Sequence, residues 1–119
     1  MEQTEFFSGY EKSREIFDHL YQRIRQRVDF DLRITKSQIT FVSGKPCAWV
    51  WIPARYLKGP DLAPLVLTLV LPYQHPSPRW KEIVEPRPGS FTHHLELYSI
   101  EDIDQEVEDW LTQVLTGNT

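Results

Sequence analysis

Leu65-Val66-Leu67-Thr68-Leu69-Val70-Leu71 is the stretch on which the fold turns. It reads as a strand closed by Pro72, because proline cannot donate to a sheet ladder. Side chains on a strand alternate, so Leu65, Leu67, Leu69 and Leu71 point one way, and Val66, Thr68 and Val70 point the other. The segment Cys47–Ile52, ended by Pro53, repeats the pattern: Cys47, Trp49 and Trp51 alternate with Ala48, Val50 and Ile52. Strands that are apolar on both sides are normally covered on both. A sheet built around these two segments therefore needs helices on one face and a second cover on the other. A bare leucine–tryptophan patch would exceed the few hundred Å² that soluble monomers usually expose.

The helices lie at the two ends of the chain. Phe17, Leu20, Tyr21, Ile24 and Val28 fall on one stripe at helical spacing, with Arg14, Arg23 and Arg25 opposite. This predicts a helix over Tyr10–Arg27, opened by a capping box at Ser8-Gly9-Tyr10-Glu11. Ser99-Ile100-Glu101-Asp102 predicts a second capped start, with Tyr98 and Ile103 as a hydrophobic staple. Ile100, Ile103, Val107, Trp110, Leu111 and Val114 then form the second stripe, which Gly117 ends. Between the helices, Leu32–Thr35 and Ile39–Val42 flank a tight connection at Lys36-Ser37-Gln38. Trp80–Glu85 and Phe91–Tyr98 complete the strands, on either side of the turn Pro86-Arg87-Pro88-Gly89. The expected fold is α+β. It has a single, mainly antiparallel sheet of five or six strands, with the N- and C-terminal helices packed on one face. Residues 1–119 are read as one domain with an ordered core over about 6–115.

The second face is assigned to the tryptophans, on the argument that the β-branched side makes the smoother bed for helices. Its cover is expected to be the loops Ala54–Pro64 and Pro72–Arg79, a second copy of the chain, or a ligand. Partial closure by loops would leave an aromatic pocket with Arg55 and Tyr56 near its rim.

Composition narrows the function classes. A hydrophobic share of 40% and a charged share of 25% are ordinary for a globular protein. Cys47 is the single cysteine, which excludes an internal disulfide and any zinc site built from several thiolates. Met1–Phe7 lacks the features of a signal peptide, and no apolar stretch is long enough to span a bilayer. The expectation is a cytoplasmic protein with no membrane partner. The net charge is −4, which argues against nucleic acid. Six acids and no base lie between Glu101 and Asp109; 13 bases against the remaining 11 acids leave the rest of the chain at +2. The acidic face reads as solvated surface or as a dock for a basic partner.

Several strings in this chain are distinctive as they stand: Thr35-Lys36-Ser37-Gln38, Ala48-Trp49-Val50-Trp51, Arg55-Tyr56-Leu57, Pro64-Leu65-Val66-Leu67, Ser77-Pro78-Arg79-Trp80-Lys81-Glu82 and Phe91-Thr92-His93-His94-Leu95-Glu96-Leu97. They resemble an uncharacterised bacterial family, the domain-of-unknown-function family 5655, from Phe6 to Trp110. The resemblance implies a compact stand-alone α+β domain of a bacterial cytoplasm. It implies no activity and no residue roles.

The residues themselves offer three candidate chemistries. His93 and His94 are adjacent on a strand and point to opposite faces, so they cannot chelate one ion together. His93 is in phase with Phe91, Leu95 and Leu97 and reads as a core or pocket histidine. His94 shares a face with Thr92 and Glu96 and reads as solvated. An enzyme would use one of them with Glu96, Arg79 or Lys81, yet no nucleophile–base pair stands at recognisable spacing. Cys47 reads as a buried thiol, and the five glycines form no phosphate loop. Arg55-Tyr56-Leu57-Lys58 and Arg79-Trp80-Lys81 mix cations with rings, the chemistry of single-stranded nucleic-acid binding. The reading adopted is a non-catalytic binding module for a small molecule or a partner protein. Its candidate binding residues are Trp49, Trp51, Arg55, Tyr56, Trp80, Lys81 and His93, with no catalytic residue, cofactor or metal. Self-association through the second sheet face is the other expected partnership.

Overall fold

The computed structural model describes residues 1–117. Two helices open the chain, α1 (Gln3–Phe6) and α2 (Glu11–Arg25), and a third, α3 (Gln105–Thr116), closes it. Between them run β1 (Asp31–Ile34), β2 (Ile39–Ser43), β3 (Lys45–Trp51), β4 (Leu65–Leu71), β5 (Glu82–Arg87) and β6 (Ser90–Leu97). They make a single sheet in the order β1-β2-β3-β4-β6-β5, and every neighbouring pair is antiparallel. The α+β architecture expected from the sequence is the one observed.

Helices α2 and α3 share one face of the sheet. Ile16, Phe17, Leu20 and Ile24 of α2 are buried together with Val107, Trp110, Leu111, Val114 and Leu115 of α3. Beneath them lie Ala48, Val50 and Ile52 of β3, Leu65, Leu67, Leu69 and Leu71 of β4, and Leu95 and Leu97 of β6. Trp49 stands opposite Thr68, and Trp51 opposite Val66, which puts both tryptophans on the second face with the β-branched side of β4. The assignment of the tryptophans holds, but its stated reason fails for β4. There the helices take the leucines, because γ-branched side chains reach further into the gap between sheet and helix.

The helix starts differ from those expected. Ser8 does not cap α2, whose N-cap is Tyr10 with no side-chain bond. Residues ahead of Ser8 instead form α1, which seats Phe6 and Phe7 in the core, and Gly9 turns the chain at φ +83°. At the other end, the Asp102 carboxylate accepts from the Tyr98 and Ser99 amides, but this box closes only a 3-10 turn, Ile100–Asp102. Tyr98 stays exposed and staples nothing. Helix α3 begins later, where Asp104 accepts from the Val107 amide, and it ends at Gly117 in the left-handed conformation. Strand β5 also starts two residues later than expected, after Trp80 has turned into the core, and it runs through Pro86 on the sheet edge.

Much of the acidic segment finds its counter-charges inside the molecule. Glu108, buried at the inner edge of α3, accepts from Arg23 at 2.9 Å and lies 3.7 Å from Arg27. Asp109 takes Arg27 at 2.8 Å, while Asp104 and Glu106 take Arg79 at 2.9 and 3.0 Å. Four of the six acids are thus paired with three arginines of the body on which the helix packs.

Candidate functional site

The second sheet face is closed at one end by residues 53–64, the connection between β3 and β4. A 3-10 turn, Pro53–Arg55, starts this loop, and three side chains, Arg55, Tyr56 and Ser13, tie it down. Arg55 donates to the carbonyls of Lys36 (2.6 Å) and Phe6, and its guanidinium lies over the rings of Phe6 and Tyr10. Tyr56 donates to the Ser37 carbonyl at 3.0 Å and leans on Trp51, with centroids 6.3 Å apart. At the far end, Ser13 of α2 holds the Pro64 carbonyl at 2.6 Å.

Between this loop and the sheet lies a cleft of about 210 Å³. Trp51, Val66 and Pro53 form its floor, and Leu57 and Leu62 its roof. Lys81, Glu82, His94 and Glu96 form one polar wall. The apolar lining comes from β3, β4 and the loop; the polar wall comes from β6 and the start of β5. This is the common composition of a small-molecule site, mostly apolar with a few polar groups placed on one side.

The wall is organised by a buried hydroxyl. Thr68 sits in the same cross-sheet row as Trp49 and His94. Its Oγ1 accepts the Trp51 indole N–H at 3.2 Å and lies 2.9 Å from His94 Nδ1. Indole can only donate, and the Thr68 proton has no other acceptor among the described residues, so it is assigned to His94 Nδ1. This assignment places the imidazole proton on Nε2. Burial pushes its pKa below the usual histidine value, against an opposing pull from Glu82, and this favours the neutral ring. Further along the wall, Lys81 Nζ lies 3.3 Å from Glu96, which also accepts from the Tyr98 hydroxyl at 3.2 Å.

Of the seven binding residues named from sequence, only Trp51 and Lys81 line this cleft. Tyr56 supports it from behind Trp51, and Arg55 is committed to holding the loop. Trp49 is half-buried on the same face, beside a separate depression lined by Cys47 and Val70. The Cys47 thiol is turned to the Lys45 carbonyl at 3.1 Å. Trp80 and His93 are on the helix side. His93 is 0% exposed, donates from Nδ1 to the Phe91 carbonyl at 2.9 Å, and accepts the His75 amide on Nε2 at 3.0 Å. Burial lowers its pKa as well. Trp80 packs between the rings of His93 and Trp110, at 4.8 and 4.3 Å. Arg79 spans Asp104, Glu106 and the Asp102 carbonyl above the Trp110 ring. Three of the four cations in the basic-aromatic loops, Arg55, Arg79 and Lys81, are thus engaged internally.

Reasoning from sequence missed Val66, Thr68, Leu57, Leu62 and Glu82, and it placed His94 in solvent. One signal was present: Thr68 is the single hydroxyl in Leu65–Leu71, on the same side as Val66, and a buried hydroxyl requires a partner. Among the described residues, no group of three or more His, Cys, Asp or Glu is placed to hold a metal ion, and no helix is long and apolar enough to cross a membrane.

These features define a class: a six-stranded antiparallel α+β protein with two helices on one face and a loop-roofed cleft on the other. The chain belongs to the family described as a domain of unknown function, DUF5655, whose model matches residues 3–113. No curated protein and no solved structure is detectably similar to it.

Proposed function

We propose that this chain is a one-domain, non-catalytic module of the bacterial cytoplasm that binds a small molecule in the cleft between residues 53–64 and the sheet. The observation that carries the reading is the Trp51–Thr68–His94 relay. A general base must present a lone pair to its substrate. His94 offers the cleft an N–H instead, because its other nitrogen is occupied by Thr68. His93 has both ring nitrogens engaged within the core. Of the remaining polar groups of the wall, Lys81 and Glu96 satisfy each other, and Glu82 is left as an acceptor for a ligand's donor. The apolar majority of the lining supplies the driving force for an organic ligand, and the pre-built hydrogen-bond row supplies its orientation.

A thermal-shift screen of metabolites, run in parallel on the parent and on Leu57→Glu, tests this. Leu57 is 53% exposed, so the substitution puts a charge over the cleft without touching the core. Ligands that raise the parent's melting temperature by mass action should lose that effect in the variant. Hits whose shifts are identical in both proteins would place the binding elsewhere and overturn the reading.

A further inference from the structure

The polar wall alternates in kind. His94 presents an N–H from Nε2, and Glu82 stands directly opposite it in the β5–β6 register, presenting a carboxylate. Directly opposed residues have Cβ atoms roughly 5 Å apart, close enough for both to meet one edge of a flat molecule. Lys81 and Glu96 follow as a second donor and acceptor, already paired at 3.3 Å. Among the described residues, the His94 N–H and the Glu82 carboxylate are the pair of the wall left without a protein partner. An unpaired carboxylate repels an anion. A purely cationic group would satisfy Glu82 but turn a donor against the His94 N–H. The complement of this wall is an edge with an acceptor next to a donor.

Size and lining restrict the rest of the molecule. A cavity of roughly 150 Å³ lined by Leu, Ile and Phe is known to take a benzene ring. The present cleft, at about 210 Å³, has room for a flat body of one or two rings against Trp51, Val66, Leu57 and Leu62. Stacked or edge-on contact with an indole favours an aromatic guest over an aliphatic one of equal volume.

We propose that the cleft takes an uncharged, planar heteroaromatic molecule whose edge bears an acceptor beside a donor: a carboxamide, or a ring nitrogen next to an amino group. The acceptor meets the His94 Nε2–H and the donor meets Glu82. This rests on the ligand-binding reading given above and narrows it to one chemical class.

The test is an NMR titration of the full chain, following the amides of Leu57, Leu62, Val66 and His94, with five probes. Nicotinamide and adenine carry the matching edge; nicotinate is its anionic mismatch, benzylamine a cationic one, and indole a flat ring with no acceptor edge. Nicotinamide and adenine are expected to bind at least tenfold tighter than nicotinate and benzylamine. Glu82→Leu, an exposed edge-strand substitution that leaves the core intact, should cost nicotinamide at least tenfold. His94→Phe should do the same, while indole, which has no acceptor for the His94 N–H, changes less than twofold in that variant. Equal affinities for all five probes, or nicotinamide binding indifferent to Glu82→Leu, would overturn the assigned ligand class while leaving the cleft a binding site. Absence of any shift at Leu57 and Val66 with every probe, indole included, would overturn the class and the ligand-binding reading together.

Discussion

Replacing Thr68 by Val keeps the shape of the side chain and removes the one atom that joins Trp51 to His94. Two hydrogen bonds disappear, at 3.2 and 2.9 Å. Each contributes about 1 kcal/mol net, so their loss costs about 2 kcal/mol. The methyl that replaces the hydroxyl sits in a buried position and returns about 0.8 kcal/mol. The expected net destabilisation is about 1 kcal/mol, a fall in melting temperature of roughly 4 °C for a chain of this size. The more diagnostic change is in the imidazole. With Nδ1 released, the ring no longer needs its proton on Nε2, and the two nitrogens share it. Long-range 1H–15N correlation spectra at pH 7.5 read this directly. In the parent, the His94 nitrogens should show one protonated Nε2 and one unprotonated Nδ1; in Thr68→Val their shifts should converge. Ligands that depend on the N–H should also weaken. A variant as stable as the parent, with an unchanged His94 tautomer, would show that the relay does not exist.

Stability should also depend on pH in a defined window. His93 is neutral in the core, with its pKa held below the usual 6.5 by burial, so between these two values the unfolded chain binds the extra proton. Folding stability therefore falls as pH drops below about 6.5, by at most about 1.4 kcal/mol per pH unit for this residue, and is level above pH 7. His94 acts in the same direction, whereas Asp104 and Asp109 act only in the acid range of carboxylates: against the pull of burial, hydrogen bonds to Arg79 and Arg27 keep their carboxyls ionised to lower pH. Urea denaturation at pH 8, 7, 6 and 5 checks this, and a flat profile would refute it. Separately, Glu108→Ala should cost about 1–2 kcal/mol by the same measurement. The value is at the low end for a buried carboxylate because Arg23 and Arg27 are both accessible enough to rehydrate. A cost below about 0.5 kcal/mol, the size expected of an ordinary surface substitution, would show that the pairs contribute nothing.

What was legible in the sequence follows from periodicity. The seven residues of β4 announce a strand buried on both sides, and the two helical stripes name Leu20, Ile24, Val107 and Leu111, all of them fully buried. Alternation also separated His93 from His94, and the faces of Trp49 and Trp51 from those of Val50 and Ile52. Alternation says which residues share a face; it does not say which neighbouring strand supplies the next residue along a row. The site depends on such rows: His94 meets Thr68 and Glu82 only because β6 pairs with both β4 and β5. The same limit explains the basic-aromatic loops. Arg55 and Arg79 look free in the sequence because their partners, the Phe6 carbonyl and Asp104, lie 49 and 25 residues away. Ser8 misled for a local reason: four residues before it form a helix of their own, so the chain at Ser8 is leaving α1 when a capping residue would be entering α2.

The two faces of the sheet are covered by different kinds of material, and this has a consequence for how the protein can change. The helix-side cover is shared with the core, so an alteration there is an alteration of folding. The roof over the cleft is a tether of a dozen residues, fixed at its ends by Arg55, Tyr56 and the Pro64 carbonyl, with Leu57 largely outside the packed interior. Residues 57–62 can be shortened, lengthened or rewritten without disturbing a single leucine of β4. The apolar roof of the cleft can therefore vary apart from the fold, while the polar wall of Glu82 and His94 and the Thr68 contact behind it stay built into the sheet.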